Sequence, residues 1–189
     1  VLLTAYPDVR WFAKKGVFGD ALDVGRFRPG AKIFCGDRTI LIGDPVWRWP
    51  DAIGTVLAPV GGVADKWRLL RLRRRLKKTS IRKIFEAPQE ATSARLLALG
   101  FSERMRQRFL EPFFRGIFLE PELGTSSRFF EFVFKMFAEG DAAIPAGGIG
   151  RVAEQLASGL PSGAVQLETR VSRVDNAEDS ATVTLANGE

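Results

Sequence analysis

Gly148-Ile149-Gly150-Arg151-Val152-Ala153 has the G-x-G-x-x-A spacing that sets a nucleotide's phosphates against the start of a helix, where glycines allow close approach and backbone N–H groups face the charge. A helix pattern follows, and a β-type run ends at Glu168, near where a ribose-binding acid belongs. The pattern also needs a buried strand before it. Residues Phe137 to Ala146 supply a helix end and a short stretch interrupted by Pro145, too little for the first strand of a dinucleotide fold. The spacing therefore reads first as a glycine-rich loop launching a packed helix.

Aromatic side chains are the other concentrated resource. Nine of the 15 phenylalanines lie between Phe109 and Phe137. The run from Arg128 to Phe137 is apolar almost all round, with Arg128, Glu131 and Lys135 as its one polar stripe and Glu131 to Lys135 as an i,i+4 pair. Such a helix is expected to be buried on most sides. Core packing accounts for rings of this kind, and Phe113, Phe114 and Phe118, beside the helix-breaking Pro112, are the ones placed to line a cavity for an apolar small molecule. Nearby Glu111, Arg115 and Glu120 read as solvated or ion-paired, and no catalytic residue is assigned.

Other chemistries are closed by what is missing. The sequence has no histidine, so a histidine relay, a histidine general base and imidazole metal sites cannot be built from these residues. One cysteine, Cys35, allows no internal disulfide and points to a reducing, cytoplasmic setting. Its reading is a packed thiol.

The elements that position these residues fall into four regions of an α+β chain. Residues 1–62 alternate short β-type runs, Lys32 to Phe34 and Thr39 to Ile42, with turns at Gly36-Asp37 and Asp44-Pro45, and one helix has Pro7 in its first turn and Gly16 beyond its end. Residues 63–140 are helical, with breaks at Pro88, at Gly100-Phe101-Ser102, at Pro112 and at Pro121 to Gly124. Residues 147–160 form the glycine-rich loop and its helix. Residues 164–186 alternate as strands, with Val165, Leu167, Thr169 and Val171 on one face, a turn from Asp175 to Ser180, and Ala181, Val183 and Leu185 repeating the period. The bare apolar start and the closing Asn187-Gly188 turn signal suggest a piece of a longer chain.

The formal net charge of +6 comes from one place. Lys66 to Lys83 holds ten basic residues and no acidic one, leaving 18 basic against 22 acidic residues elsewhere. In this stretch Val63, Trp67 and Leu70 fall on one side of a helix and Leu69, Leu72 and Leu76 nearly opposite. A solvated helix packed between neighbours is the first reading, contact with an anionic membrane surface the second, and nucleic acid the third. Ala94 to Leu110 has a helix-turn-helix outline with Ser102 as N-cap. However, Arg104, Arg106 and Arg108 do not share a face, while Phe101, Met105 and Phe109 form a stripe that must be buried.

Pro145-Ala146-Gly147-Gly148-Ile149-Gly150, an amphipathic helix, and then Val165 to Val174 with a strand ending in Asn-Gly resemble a particular crossing. It is the segment by which flavin-containing amine oxidases, phytoene desaturases and protoporphyrinogen oxidases return from the substrate domain to the FAD domain. Arg115-Gly116-Ile117-Phe118-Leu119, Phe134-Lys135-Met136-Phe137-Ala138-Glu139-Gly140 and Gln155-Leu156-Ala157 are similar to a desaturase-like NAD(P)/FAD-dependent branch, as is the opening Val1-Leu2-Leu3-Thr4-Ala5-Tyr6-Pro7.

The resemblance implies a two-domain FAD oxidoreductase, with residues 1–145 as a substrate-domain segment (1–62 strands and turns, 63–140 helical) and residues 146–189 as a partial FAD-domain re-entry of helix and β-hairpin. It implies that the main chain of Val171 meets the FAD adenine, whose edge presents a donor beside an acceptor. Gly147 and Gly148 match the family's loop and permit close approach. The implied substrate is an apolar small molecule that gives a hydride to the flavin. The family's dinucleotide fingerprint and last flavin-contacting segment are not among these residues, so this stretch alone is expected neither to retain FAD nor to catalyse.

Overall fold

The computed structural model describes residues 2–17, 23–28, 30–35, 37–43 and 60–187. The chain opens with β1 (Leu2–Leu3) and α1 (Pro7–Lys14), whose proline presets φ at the first turn and whose end is closed by Gly16 at φ +74°. β2 (Val24–Arg26) follows, then a hairpin of β3 (Gly30–Cys35) and β4 (Arg38–Gly43) in register from Gly30 opposite Gly43 to Cys35 opposite Arg38. Gly36, of the Gly36-Asp37 turn signal, lies outside the described residues. The Asp44-Pro45 turn and the side chain of Cys35 lie outside the described residues.

The helical region begins with α2 (Val63–Lys78), α3 (Ile81–Glu86) and α4 (Thr92–Ala98). A rod follows, made of α5 (Glu103–Met105), a π turn (Arg106–Leu110) and α6 (Glu111–Phe118). Next comes α7 (Ser127–Glu139). Hydroxyls start three of these helices: Ser80, Ser102 and Ser126 accept from the backbone N–H of Lys83, Met105 and Arg128. The main core collects Leu72 and Leu76 from α2, Ile84, Leu96, Phe114, and Phe130 and Val133 from α7. A smaller cluster joins Leu3 and Ala5 to Met136.

After α7 the chain returns to its beginning. β5 (Ala142–Pro145) runs antiparallel between β1 and β2, pairing Leu2 with Ala143 and Val24 with Pro145. Thr4 and Asp141 exchange two hydrogen bonds at that corner, at 3.0 and 2.9 Å, and Arg26 reaches Asp141 at 3.1 Å. Gly140 makes this approach feasible, because a Cβ there would stand 2.6 Å from the Ala5 nitrogen. α8 (Gly150–Ser158) and a separate hairpin of β6 (Val171–Asn176) and β7 (Ala181–Leu185) complete the described chain.

Four expectations change. Pro112 does not break the helix: the Glu111 N–H bonds to Arg106 five residues back, and this wide turn accommodates a proline that has no N–H to give. The polar stripe of α7 faces inward, with Glu131 and Lys135 both buried, and they do not pair with each other; Lys135 pairs with Glu139. Residues 164–170 form no strand, and Glu168 sits at φ +56° in a turn. Finally, α2 packs by one stripe alone, Val63 and Trp67 remaining 74% and 62% exposed.

Candidate functional site

The glycine turn is built by the end of β5. Ala146 donates to Asp23, Gly148 donates to Pro145 at 2.8 Å, and Arg151 donates to Gly148, so the chain folds back on itself before α8. Gly148 has φ +88°, a conformation that a side chain rarely tolerates. Gly147 approaches the stem of Arg151, whose head pairs with Glu154. The strand that enters this turn has only antiparallel neighbours, so the G-x-G-x-x-A spacing lacks the parallel βαβ setting of a dinucleotide phosphate loop. Glu168, the residue at ribose-acid distance in sequence, is on a turn and not at a strand end.

Val171 opens β6, opposite Leu185. A bulge at Ser172 follows it, pinned by the Ser172 hydroxyl, which donates to the carbonyls of Thr184 and Leu185 at 2.9 and 3.2 Å. The bulge brings the Val171–Leu185 and Val174–Val183 pairs onto one face, and Val171, Val174 and Val183 are each about half exposed. Among the described residues β6 pairs with β7 alone, so its other edge carries backbone N–H and C=O groups in a row. That donor set suits the adjacent donor and acceptor of an adenine edge. Among the described residues no hydrogen bond joins Val171 to Gly147 or Gly148.

Phe113, Phe114 and Phe118 do come together. Phe114 is fully buried, with ring centroids 5.2 Å from Phe113, 5.5 Å from Phe118 and 4.7 Å from Phe130. Phe118 continues outward to Phe129, Phe129 to Phe132, and Phe132 to both Phe85 and Tyr6, giving an unbroken band of rings from the core to the surface. Phe113 meets Phe109 on one side and Phe137 on the other. Edge and offset contacts of this kind stabilise a wall by about 0.5–1.5 kcal/mol per pair beyond area burial. Burial of the Tyr6 hydroxyl raises its pKa.

The charged residues beside this wall are occupied. Glu111 accepts from Arg106 at 3.2 Å and Arg115 at 3.4 Å, as expected for ion-paired groups. Glu120 closes the loop before α7: the Thr125 backbone N–H lowers its pKa first, helped by the Thr125 hydroxyl and the N–H groups of Gly124 and Glu122.

Three buried charges were missed by sequence reasoning. Glu131 accepts from Arg75 and from both Nε and a terminal nitrogen of Arg95, at 2.7–2.9 Å. Lys135 donates to the carbonyls of Leu76 and Lys77, closing the C-terminal end of α2. Asp65 accepts from Gly62 N–H, Ser102 N–H and the Ser102 hydroxyl. Burial pushes the Asp65 carboxyl up, but the two Ser102 donors, Gly62 and the Arg68 charge together hold it below its ordinary value. The one available signal was the excess of Arg and Lys on α2, which needs acidic partners elsewhere.

Among the described residues no group of histidine, cysteine or carboxylate side chains is arranged to hold a metal ion, and no helix is long and apolar enough to cross a membrane. No curated protein and no solved structure matches the chain significantly. The model of the flavin-containing amine oxidoreductase family matches residues 45–189, which takes in the phenylalanine wall, the glycine turn and the final hairpin. This chain belongs to the flavin-containing amine oxidoreductase family.

Proposed function

We propose that the chain supplies a substrate-domain segment, residues 1–145, and the return into an FAD domain, residues 146–189, of a two-domain oxidoreductase of the desaturase-like branch acting on an apolar substrate. The observation that carries this reading is the family match over residues 45–189, which takes in most of the first part and all of the second. Placement of the boundary at Pro145 is supported by the sheet: β5 ends there after sealing β1 and β2, and the chain then passes through the Gly147-Gly148 turn to a helix and hairpin.

Bound flavin supplies the acceptor for a hydride leaving a substrate C–H bond. The residues here bind and exclude water. Val171 offers main-chain N–H and C=O groups to the FAD adenine from the open edge of β6, and the bulge at Ser172 fixes the direction in which that edge faces. Gly147 and Gly148 keep the adjoining turn free of side chains, so that the cofactor or a neighbouring strand can come close. Phe113, Phe114 and Phe118 form the apolar wall on the substrate side, with Phe114 holding the other two rings in place.

Adenine recognition separates FAD from FMN. Competition of the two for the intact flavoprotein stripped of its cofactor should favour FAD strongly. Val171→Pro, which removes the N–H, should weaken FAD about tenfold, the worth of one hydrogen bond, while Val171→Ala leaves it unchanged. Equal affinity for FAD and FMN would contradict the assignment of the hairpin, and so would indifference of FAD binding to Val171→Pro in a protein whose melting is unchanged.

A further inference from the structure

The core uses only one of the two apolar stripes of α2. Leu72 and Leu76 are buried with Asp65 between them on the inner side. Opposite them Val63, Trp67 and Leu70 are 74%, 62% and 36% exposed. At 100° per residue the same outer half holds Arg71, Arg74, Lys77 and Lys78, all exposed and all without an ion pair among the described residues. The face is therefore apolar along its first two turns and cationic along its last two. Lysines near a helix C-terminus offset the helix dipole, which accounts for Lys77 and Lys78 but not for a solvent-facing tryptophan between two aliphatic residues.

We propose that the outer face of α2 docks on a bilayer surface containing anionic phospholipid. The helix lies in the interface plane, with Val63, Trp67 and Leu70 in the boundary between headgroups and acyl chains and Arg71, Arg74, Lys77 and Lys78 against headgroup phosphates and carboxylates. Charge complementarity selects this occupant, because Lys66 to Lys83 holds ten basic residues and no acidic one. A second copy of the same face would oppose these cations with its own. A nucleic acid would use the cations and could stack on Trp67, but would leave Val63 and Leu70 in water. Aliphatic and cationic groups are buried together on one helix face at a lipid interface. This inference goes beyond the flavin reading and does not depend on it.

Co-sedimentation of the full chain with vesicles tests it. Binding to vesicles of phosphatidylcholine with phosphatidylserine is expected, weakening with added salt, and none to phosphatidylcholine alone. Arg71→Gln with Arg74→Gln should lower the partition coefficient about thirty-fold, and Trp67→Ala about tenfold. These side chains are exposed, so the circular dichroism of the variants should match the parent chain. Three results overturn the proposal: equal binding to neutral vesicles, no binding to anionic ones, or binding untouched by both variants. Tighter binding to a single-stranded or duplex oligonucleotide than to anionic vesicles, lost on Arg71→Gln with Arg74→Gln, overturns it in favour of nucleic acid.

Discussion

Asp65 shows how much a single buried carboxylate can hold. It joins the start of α2 to Ser102, the N-cap of α5, and its carboxyl titrates below its ordinary value in the folded protein. A group lowered on folding contributes stability that is complete above its unfolded value, about 3.9, and that disappears as pH falls through the folded value. Asp65→Asn should therefore cost about 2 kcal/mol near neutral pH, and the difference from the parent should shrink on acidification, read by thermal melts across the carboxylate range. Glu131→Gln leaves Arg75 without its countercharge and Arg95 with Glu90 alone, and urea unfolding should show a loss of about 2–3 kcal/mol. Ser102 as a cap was legible from its place two residues after the Gly100 break, at the head of a helical pattern. Asp65 and Glu131 were not, because burial depends on partners 36 to 56 positions away.

At the scale of elements, periodicity located the helices better than it oriented them. The stripe on α7 was legible as Arg128, Glu131 and Lys135, and the expected partner was within it, Glu131 to Lys135. Three arginine and lysine bonds to Glu131, Leu76 and Lys77 turned it toward α2 instead. That left Phe129 partly exposed at the outer end of the ring band. Proline at 112 signalled an irregularity correctly, and a π turn absorbed it, since a five-residue bond needs no N–H from Pro112. Removing the ring at the centre of the wall, Phe114→Ala, should destabilise by about 3–5 kcal/mol in denaturant unfolding. Gly140→Ala puts a methyl group against the Ala5 backbone and should cost about 2–3 kcal/mol and loosen β1 from β5, seen as faster exchange of the Thr4 amide, which bonds to Asp141. The sheet that joins these strands was not legible, because β1 and β5 are short and meet across the whole helical region.

For the whole molecule, the family was legible where composition was silent, through the phrase from Pro145 to Gly150, its helix and the closing β-ribbon. The ribbon itself was read two residues of pattern at a time, so the alternation of Val165, Leu167 and Thr169 extended the strand too far. Residues 164–170 instead pass through turns, the Arg170 carbonyl accepts from the Ala186 N–H, and β6 starts at Val171. The half-exposed valines of the ribbon, the solid wall around Phe114 and the glycine turn all lie within the stretch that the flavin-containing amine oxidoreductase family matches. The most direct measurement is the visible absorption spectrum of the intact polypeptide bearing this chain, purified without added cofactor, followed by chromatography of whatever acid releases. The account predicts flavin bands and stoichiometric FAD; a colourless protein that added FAD does not restore, or one that releases FMN, contradicts it.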